Sequence, residues 1–280
     1  MAIDYAPLHT DPTLPPLLVN LYSDTQTKPT PGMKAAMMAA EVGDEQFGLD
    51  PTTNALAERM AALMGKEAAV FLPSGTMCNQ IAILTHCRPG DEILAHETAH
   101  ILTSEGGGAA ALTGAQITGL RGDRGLFDAD TVRAALRSKS RYSPPQTLLE
   151  VEQTANSGGG VVWPLAQMNA VAAVAHEAGM ATHIDGARLM NAVVASGVAP
   201  GAVCGAVSCA VPGPASWVTA FRVPASRVTA SCADCGVAAS RSRGAGCRSS
   251  FMRPSADCPP APRAAPVRRG LRAPARTASR

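Results

Sequence analysis

Half of this chain contains no lysine. Lys28, Lys34, Lys66 and Lys139 are its only four in 280 residues, so no step that needs a side-chain amine can be placed after position 139. No apolar run approaches the ~18 residues that would suggest a membrane span. The start, MAIDYAPLHTDPTLPP, has neither a basic opening nor an apolar centre, so no signal peptide is expected there. No Gly-Lys-Ser/Thr follows a glycine-rich loop, which argues against a Walker-type nucleotide site. Only Cys78 and Cys87 lie in the first 200 residues. That scarcity fits a reducing compartment, and a cytoplasmic location is expected.

The absences differ between the two parts of the chain. Residues 201–280 hold no isoleucine and one leucine, Leu271, against nine prolines and eighteen alanines. They carry twelve arginines and two acids, Asp234 and Asp257, a net +10; with the whole chain at +2, the first 200 residues carry −8. So few large aliphatics cannot bury enough surface to offset backbone ordering, at ~1–2 kcal/mol per residue. The expectation is an N-terminal extension over 1–20, a globular domain over 21–199 and a low-complexity, disordered tail over 200–280. Cys232 and Cys235 form a Cys-x-x-Cys pair, but Cys247 and Cys258 are too widely spaced to complete a zinc ribbon. No metal site is expected.

The patterned part alternates strand and helix signals. Residues 68–74 read as a buried strand that runs into a helical pattern over 77–87. Residues 91–97 read as the next strand, 128–138 as a helix capped by Asp128, and 146–154 as a third strand. A helix follows over 164–179, with proline near its start and glycine at its end, and then a strand over 180–187. This order predicts an α/β domain with a largely parallel sheet.

Four clusters have residues suited to chemistry. Ser74-Gly75-Thr76 stands between strand and helix; it is either a phosphate cradle at a helix N-terminus or an ordinary capped turn. Asp185, in His183-Ile184-Asp185-Gly186-Ala187-Arg188, lies near the C-terminal end of a predicted strand. Ligands bind at that edge of parallel sheets. A carboxylate there could pair with a protonated pyridine nitrogen, or simply cap the next helix. His100, after a strand and ahead of Glu105 and three glycines, could stack on a flat ring or move a proton, or lie on the surface. Ser23-Asp24-Thr25 with Thr27-Lys28-Pro29-Thr30 reads as a polar loop.

Taken together, SDTQTKPT (23–30), residues 41–80 from EVGDEQFG to SGTMCNQ, AHI (99–101), EGGGA (105–109) and HIDGARLMNAVVASGV (183–198) resemble the low-specificity threonine aldolases and their phenylserine-cleaving relatives. The resemblance covers about residues 20–198. It implies the large domain of the aspartate-aminotransferase fold (fold type I), here incomplete, and pyridoxal 5′-phosphate (PLP) as cofactor. By position it implies that Gly75 and Thr76 hold the phosphate and that His100 stacks on the ring. Asp185 would pair with the ring nitrogen, Arg188 would contact the phenolate side, Ser23 would help hold the substrate carboxylate, and Glu105 would support a proton relay. The implied reaction cleaves a β-hydroxy-α-amino acid to glycine and an aldehyde. The implied assembly is a homodimer or homotetramer, with a small amino acid as the only ligand class and neither nucleic acid nor membrane as partner.

The family also uses a Schiff-base lysine at a strand end downstream of the HIDGAR segment. All four lysines precede Asp185, so this polypeptide is expected to be inactive. A further histidine that many members carry is replaced by the stretch Arg141-Tyr142-Ser143-Pro144-Pro145. The composition beyond Pro200 is that of a GC-rich gene read out of frame, which suggests a frameshift near codon 200. The alternatives are a related β-eliminating lyase, and a non-catalytic truncated protein with a real basic tail, to which Arg268-Arg269 would contribute.

Overall fold

The computed structural model describes residues 22–205 together with 19, 207, 209–212 and 218–221, with side chains up to residue 207. All belong to Met1–Ser231, the first of two units into which the chain divides. The N-terminal stretch 1–16, Cys232, Cys235, Cys247, Cys258 and the Arg268-Arg269 pair lie outside the described residues.

Helix starts follow local chemistry. In α1 (Pro31–Ala39) Thr30 accepts the Met33 N–H at 3.2 Å, and Pro31 takes the first turn, where a missing donor costs nothing. In α2 (Pro51–Met64) Asp50 accepts from the Thr53 N–H at 2.8 Å, and Gly65 closes the helix at φ 64°. Strand β1 (Ala68–Phe71) leads through Ser74 into α3 (Gly75–His86). Then come β2 (Glu92–His96), the single turn α4 (His100–Thr103), a π-helical turn over Ala109–Thr113, and β3 (Gln116–Leu120). Helix α5 (Ala129–Ala135) is capped by Asp128, as its sequence predicts. Strand β4 (Gln146–Glu152), α6 (Leu165–Glu177) and β5 (Ala181–Gly186) fall inside their predicted spans. The chain continues with α7 (Leu189–Ser196), α8 (Pro200–Cys204), β6 (Cys209–Pro212) and β7 (Val218–Phe221). No helix among the described residues is long and apolar enough to cross a membrane.

The strands form one seven-stranded sheet in the order β1-β7-β6-β5-β4-β2-β3. Pairing is parallel from β6 to β3, while β7 runs antiparallel to both β1 and β6. Period-two alternation sorts the side chains. Leu94, Leu149, Val151 and Ile184 face a core with Met168 and Val171 of α6, whereas Ile93, Ala95 and Leu148 join Ile83 of α3 and Cys87 at its end in another. The register Glu150↔His183 and Glu152↔Asp185 therefore places four polar residues on the α3 side of the sheet, in two neighbouring strands.

Two features were not anticipated from the sequence. β3 carries no strong strand signal, because Gly119 interrupts it. That glycine allows close approach: a Cβ there would lie 3.0 Å from Glu97 Cα. The other is beyond residue 200, where three short elements, α8, β6 and β7, lie within the stretch read as a low-complexity tail. Val203 and Cys204 are buried, and β6 covers the edge of β5 from His183↔Cys209 to Gly186↔Pro212. Strand pairing satisfies backbone donors and acceptors, so a four-residue segment can join a sheet edge even where the surrounding composition is poor in aliphatics.

Candidate active site

A cleft of about 580 Å³ opens at the C-terminal edge of the parallel strands. Its walls come from the segment 23–27, the start of α3, α4, the end of β4 and the end of β5. This is the edge where the turn from strand to helix leaves unpaired N–H groups facing outward.

Ser74 caps α3, its hydroxyl accepting the Met77 N–H at 3.1 Å, and Gly75 and Thr76 line the cleft at the helix N-terminus. The partial positive charge there suits an anion. At the end of β5 Asp185 is 3% exposed. Its carboxylate accepts from Asn79 Nδ2 at 2.8 Å and from the Ala187 N–H at 3.1 Å. Burial raises its pKa, and those two bonds oppose the rise. The alternative that Asp185 caps the next helix is not met: α7 begins after Arg188 with no side-chain cap, and the bond to the Ala187 N–H is a local turn contact.

His100 is the first residue of α4 and half-exposed in the cleft, its Nδ1 lying 2.9 Å from Glu105 Oε1. Hydrogen bonding to Glu105, against the pull of burial, raises the His100 pKa. Glu105 is itself buried and also accepts from Asn79 Nδ2 at 2.8 Å and Gln80 Nε2 at 2.6 Å. The glycines after it are needed for two reasons. Gly106 and Gly107 adopt φ 62° and 73°, and a Cβ on Gly108 would come within 2.6 Å of the Gln80 side chain. Gly108→Ala is therefore expected to push Gln80 off Glu105. The loss should be about 1–3 kcal/mol of stability, read as a lower urea midpoint at unchanged slope.

Arg188 forms a two-pronged ion pair with Asp24, Nε to Oδ2 at 2.5 Å and Nη2 to Oδ1 at 2.8 Å. The guanidinium holds the Asp24 carboxyl below its ordinary range. Ser23 lines the same cleft, and its hydroxyl accepts the Thr25 N–H at 3.2 Å. The segment read from sequence as a polar loop thus forms one wall.

Six of the seven residues singled out from sequence, Ser23, Gly75, Thr76, His100, Asp185 and Arg188, line this cleft, and the seventh, Glu105, is bonded to His100 behind it. Sequence reasoning missed Asn79, Gln80 and Glu152, and read Asp24 only as part of a loop. Asn79 and Gln80 follow Ser74 by about one and a half helical turns, a spacing that would have placed them beside the strand ends. Glu152 lines the cleft beside Asp185, and burial together with Asp185 pushes its carboxyl up to about 7. No lysine lines the cleft among the described residues. Lys66 instead donates to the Cys204 carbonyl at 2.7 Å and to that of Val207.

Residues 20–238 match the family model described as beta-eliminating lyase. The chain belongs to the beta-eliminating lyase family. Similar proteins include the low-specificity L-threonine aldolase 1 of Arabidopsis thaliana, 40% identical over 184 residues, which span 64% of this chain and 51% of that protein. The low specificity L-threonine aldolase of Escherichia coli strain K12 is 41% identical over 181 residues, 64% of this chain and 54% of that protein. The chain thus spans about half the length of the curated relatives it matches. Among solved structures, a Leishmania major threonine aldolase superposes with a TM-score of 0.59 at 21% identity, over 70% of this chain and 60% of that one. The described fold is the large domain of the fold-type-I group, as the resemblance implied.

Proposed function

We propose that this site is a PLP-binding site of the threonine-aldolase type, suited to cleaving a β-hydroxy-α-amino acid to glycine and an aldehyde. One observation carries the reading: a buried carboxylate, an imidazole held by a second carboxylate, and a glycine-opened helix N-terminus meet in one cleft. The residues fit the cofactor. Gly75 and Thr76 would hold its phosphate, Asp185 its ring nitrogen, and His100 one face of the ring. Arg188, fixed by Asp24, would stand by the ring oxygen, and Ser23 near a substrate carboxylate. PLP, when bound, supplies the electron sink that makes a carbon–carbon cleavage accessible.

The protein's part is to orient and to move protons. The ionised Asp185 would keep a positive charge on the ring nitrogen. His100 donates its Nδ1 proton to Glu105, which leaves Nε2 to exchange a proton with a hydroxyl in the cleft. The names of the relatives favour an aldolase over another β-eliminating lyase.

The absence of a lysine in the cleft favours a second statement about this polypeptide. β6 ends at Val211 and Pro212, paired with Asp185 and Gly186, and the lysine the family places at a strand end would belong just beyond. We propose that the reading frame changes near codon 200, that residues 21–199 are the aldolase-like part, and that the lysine is lost with the change. Sequencing across codons 195–210 tests this, and a one-base correction should restore a Ser/Thr-Lys-Gly segment. Cytoplasmic location and a homodimeric or homotetrameric assembly accompany this reading as proposals.

The chain as it stands is expected to bind PLP without a covalent bond. Borohydride should leave its mass unchanged, and threonine should yield glycine far below the ordinary enzyme scale of ~1–10³ per second. Turnover within that range from the verified polypeptide would overturn the proposed inactivity. No change in PLP absorbance or fluorescence on adding the chain would overturn the cofactor reading.

A further inference from the structure

Asn79 of α3 and His183 of β5 have no role in the proposed chemistry, yet they lie at the centre of the site's hydrogen bonds. Both are buried, at 1% and 0% exposure. The Asn79 amide nitrogen lies 2.8 Å from Glu105 Oε1 and 2.8 Å from Asp185 Oδ2. Its oxygen lies 2.9 Å from His183 Nε2. This geometry settles the orientation. Only the NH₂ end can face two carboxylates, since it has two hydrogens and each carboxylate accepts. The amide oxygen must then face His183, and His183 must donate from Nε2.

We propose that Asn79, oriented by His183, is a positioning residue of this site: its amide clamps Asp185 and Glu105 so that one faces the cofactor and the other keeps hold of His100. The assignment of a cofactor rests on the reading above; the clamp itself rests on the geometry. Each carboxylate has about four lone-pair positions. Asn79 and the Ala187 N–H occupy two on Asp185, which fixes the plane of the group and leaves the remainder for a ligand. On Glu105, Asn79, Gln80 and His100 take three. One side chain therefore sets two carboxylates that come from separate parts of the chain.

The clamp also has an electrostatic effect. Glu105, Glu150 and Glu152 surround Asp185, with His100, His183 and Arg188 as the basic groups near it. Among these charges the Asn79 hydrogen bond is the largest influence that lowers the Asp185 pKa. A rotated amide would turn an oxygen toward both carboxylates and reverse that influence.

The test compares His183→Phe, which keeps the bulk and removes the donor, with His183→Gln, which keeps an N–H near the Nε2 position. Two measurements on the full chain are needed. The first is the dissociation constant of PLP from fluorescence. The second is the Asp185 titration by carboxyl NMR on the cofactor-free chain with ¹³C-labelled aspartate, assigned with Asp185→Asn. His183→Phe is expected to weaken PLP about tenfold, because the Asn79 amide loses the buried hydrogen bond that fixes its orientation toward Asp185. It should also raise the Asp185 midpoint by about one pH unit. His183→Gln should restore most of both. If His183→Phe does not fold, Asn79→Asp gives the same reading with a larger upward shift, because an acceptor then faces two acceptors. A variant that is merely less stable, with PLP affinity and Asp185 midpoint unchanged, would overturn the proposal. Failure of the wild-type chain to bind PLP would sink the cofactor reading and leave the NMR titration to decide the clamp.

Discussion

Asp185→Ala should weaken PLP binding by this chain about 100-fold, while His176→Ala should leave it within about twofold. The contrast rests on placement. Asp185 is buried at the edge of the cleft and held by two donors, so its charge is already desolvated and oriented before any ligand arrives. A protonated ring nitrogen meeting such a carboxylate makes a charge-assisted bond of the stronger kind. A 100-fold loss corresponds to about 2.7 kcal/mol, within reach of one such bond removed from a buried site. His176 sits on an exposed face of α6, with Nε2 3.0 Å from Thr182 Oγ1, and does not line the cleft. Asp185→Asn checks that the loss follows charge and not shape: it fills the same space and should lose nearly as much affinity as the alanine variant. Titration of PLP fluorescence measures all three variants. Equal, mild losses at positions 185 and 176 would remove Asp185 from the site.

The cofactor-free chain should become less stable as pH rises from 5 to 8, and Glu152→Gln should make that slope shallower. Burial and the charge of Asp185 push the Glu152 carboxyl up to about 7, and burial raises Glu150 well above its ordinary range. A carboxyl whose folded pKa lies above its unfolded value of ~4.3 binds a proton more readily in the native state. Its contribution to stability is complete below that unfolded value and is lost as pH rises through the folded one. For Glu152 the change between pH 5 and pH 8 is roughly 2–3 kcal/mol. His100, with its pKa raised by Glu105, acts in the same direction, because its charged form is favoured in the native state. Asp24, Asp50, Asp128 and Glu92 have lowered values. Their effect is lost only in acid, below this window. Urea midpoints at several pH values measure the slope. A flat profile for the wild type, or the same slope in Glu152→Gln, would show that Glu152 is ionised throughout.

The two carboxyls also connect fold to site. Among the described residues Glu150 has no hydrogen-bond partner for either oxygen, and it lies beside His183 in register. A buried acid of that kind is tolerable when protonated and costly when charged. The pH slope therefore arises from the same alignment of strands that forms the wall of the cleft.

Much of this was legible in the sequence because it rests on short-range physics. Helix caps depend on residues three apart: the Asp128 cap formed as expected, and Ser74 makes the cap that was one of its two readings. Strands β2, β4 and β5 stood out as apolar runs, since a parallel strand is covered on both faces. The seven expected site residues were found as short motifs, and each lies at or beside the cleft. The small, glycine-containing β3 and the pairing of β6 and β7 were not legible. They depend on open backbone edges supplied by distant segments, and composition does not register such edges.

The sequence by itself determined the class of fold, the family and the set of reactive groups, because each was encoded in contiguous residues with their own spacing. It also determined that no lysine follows position 139. Only the tertiary structure decided how those groups act on one another. Asp24 meets Arg188 across 164 positions, and Asn79 joins Glu105, Asp185 and His183 across 26, 106 and 104. The unusual proton affinity of Glu152 likewise exists only where β4 lies beside β5 and water is excluded. Hydrogen-bond direction, desolvation and charge coupling depend on distances of a few ångströms in space, and separation along the chain does not specify them.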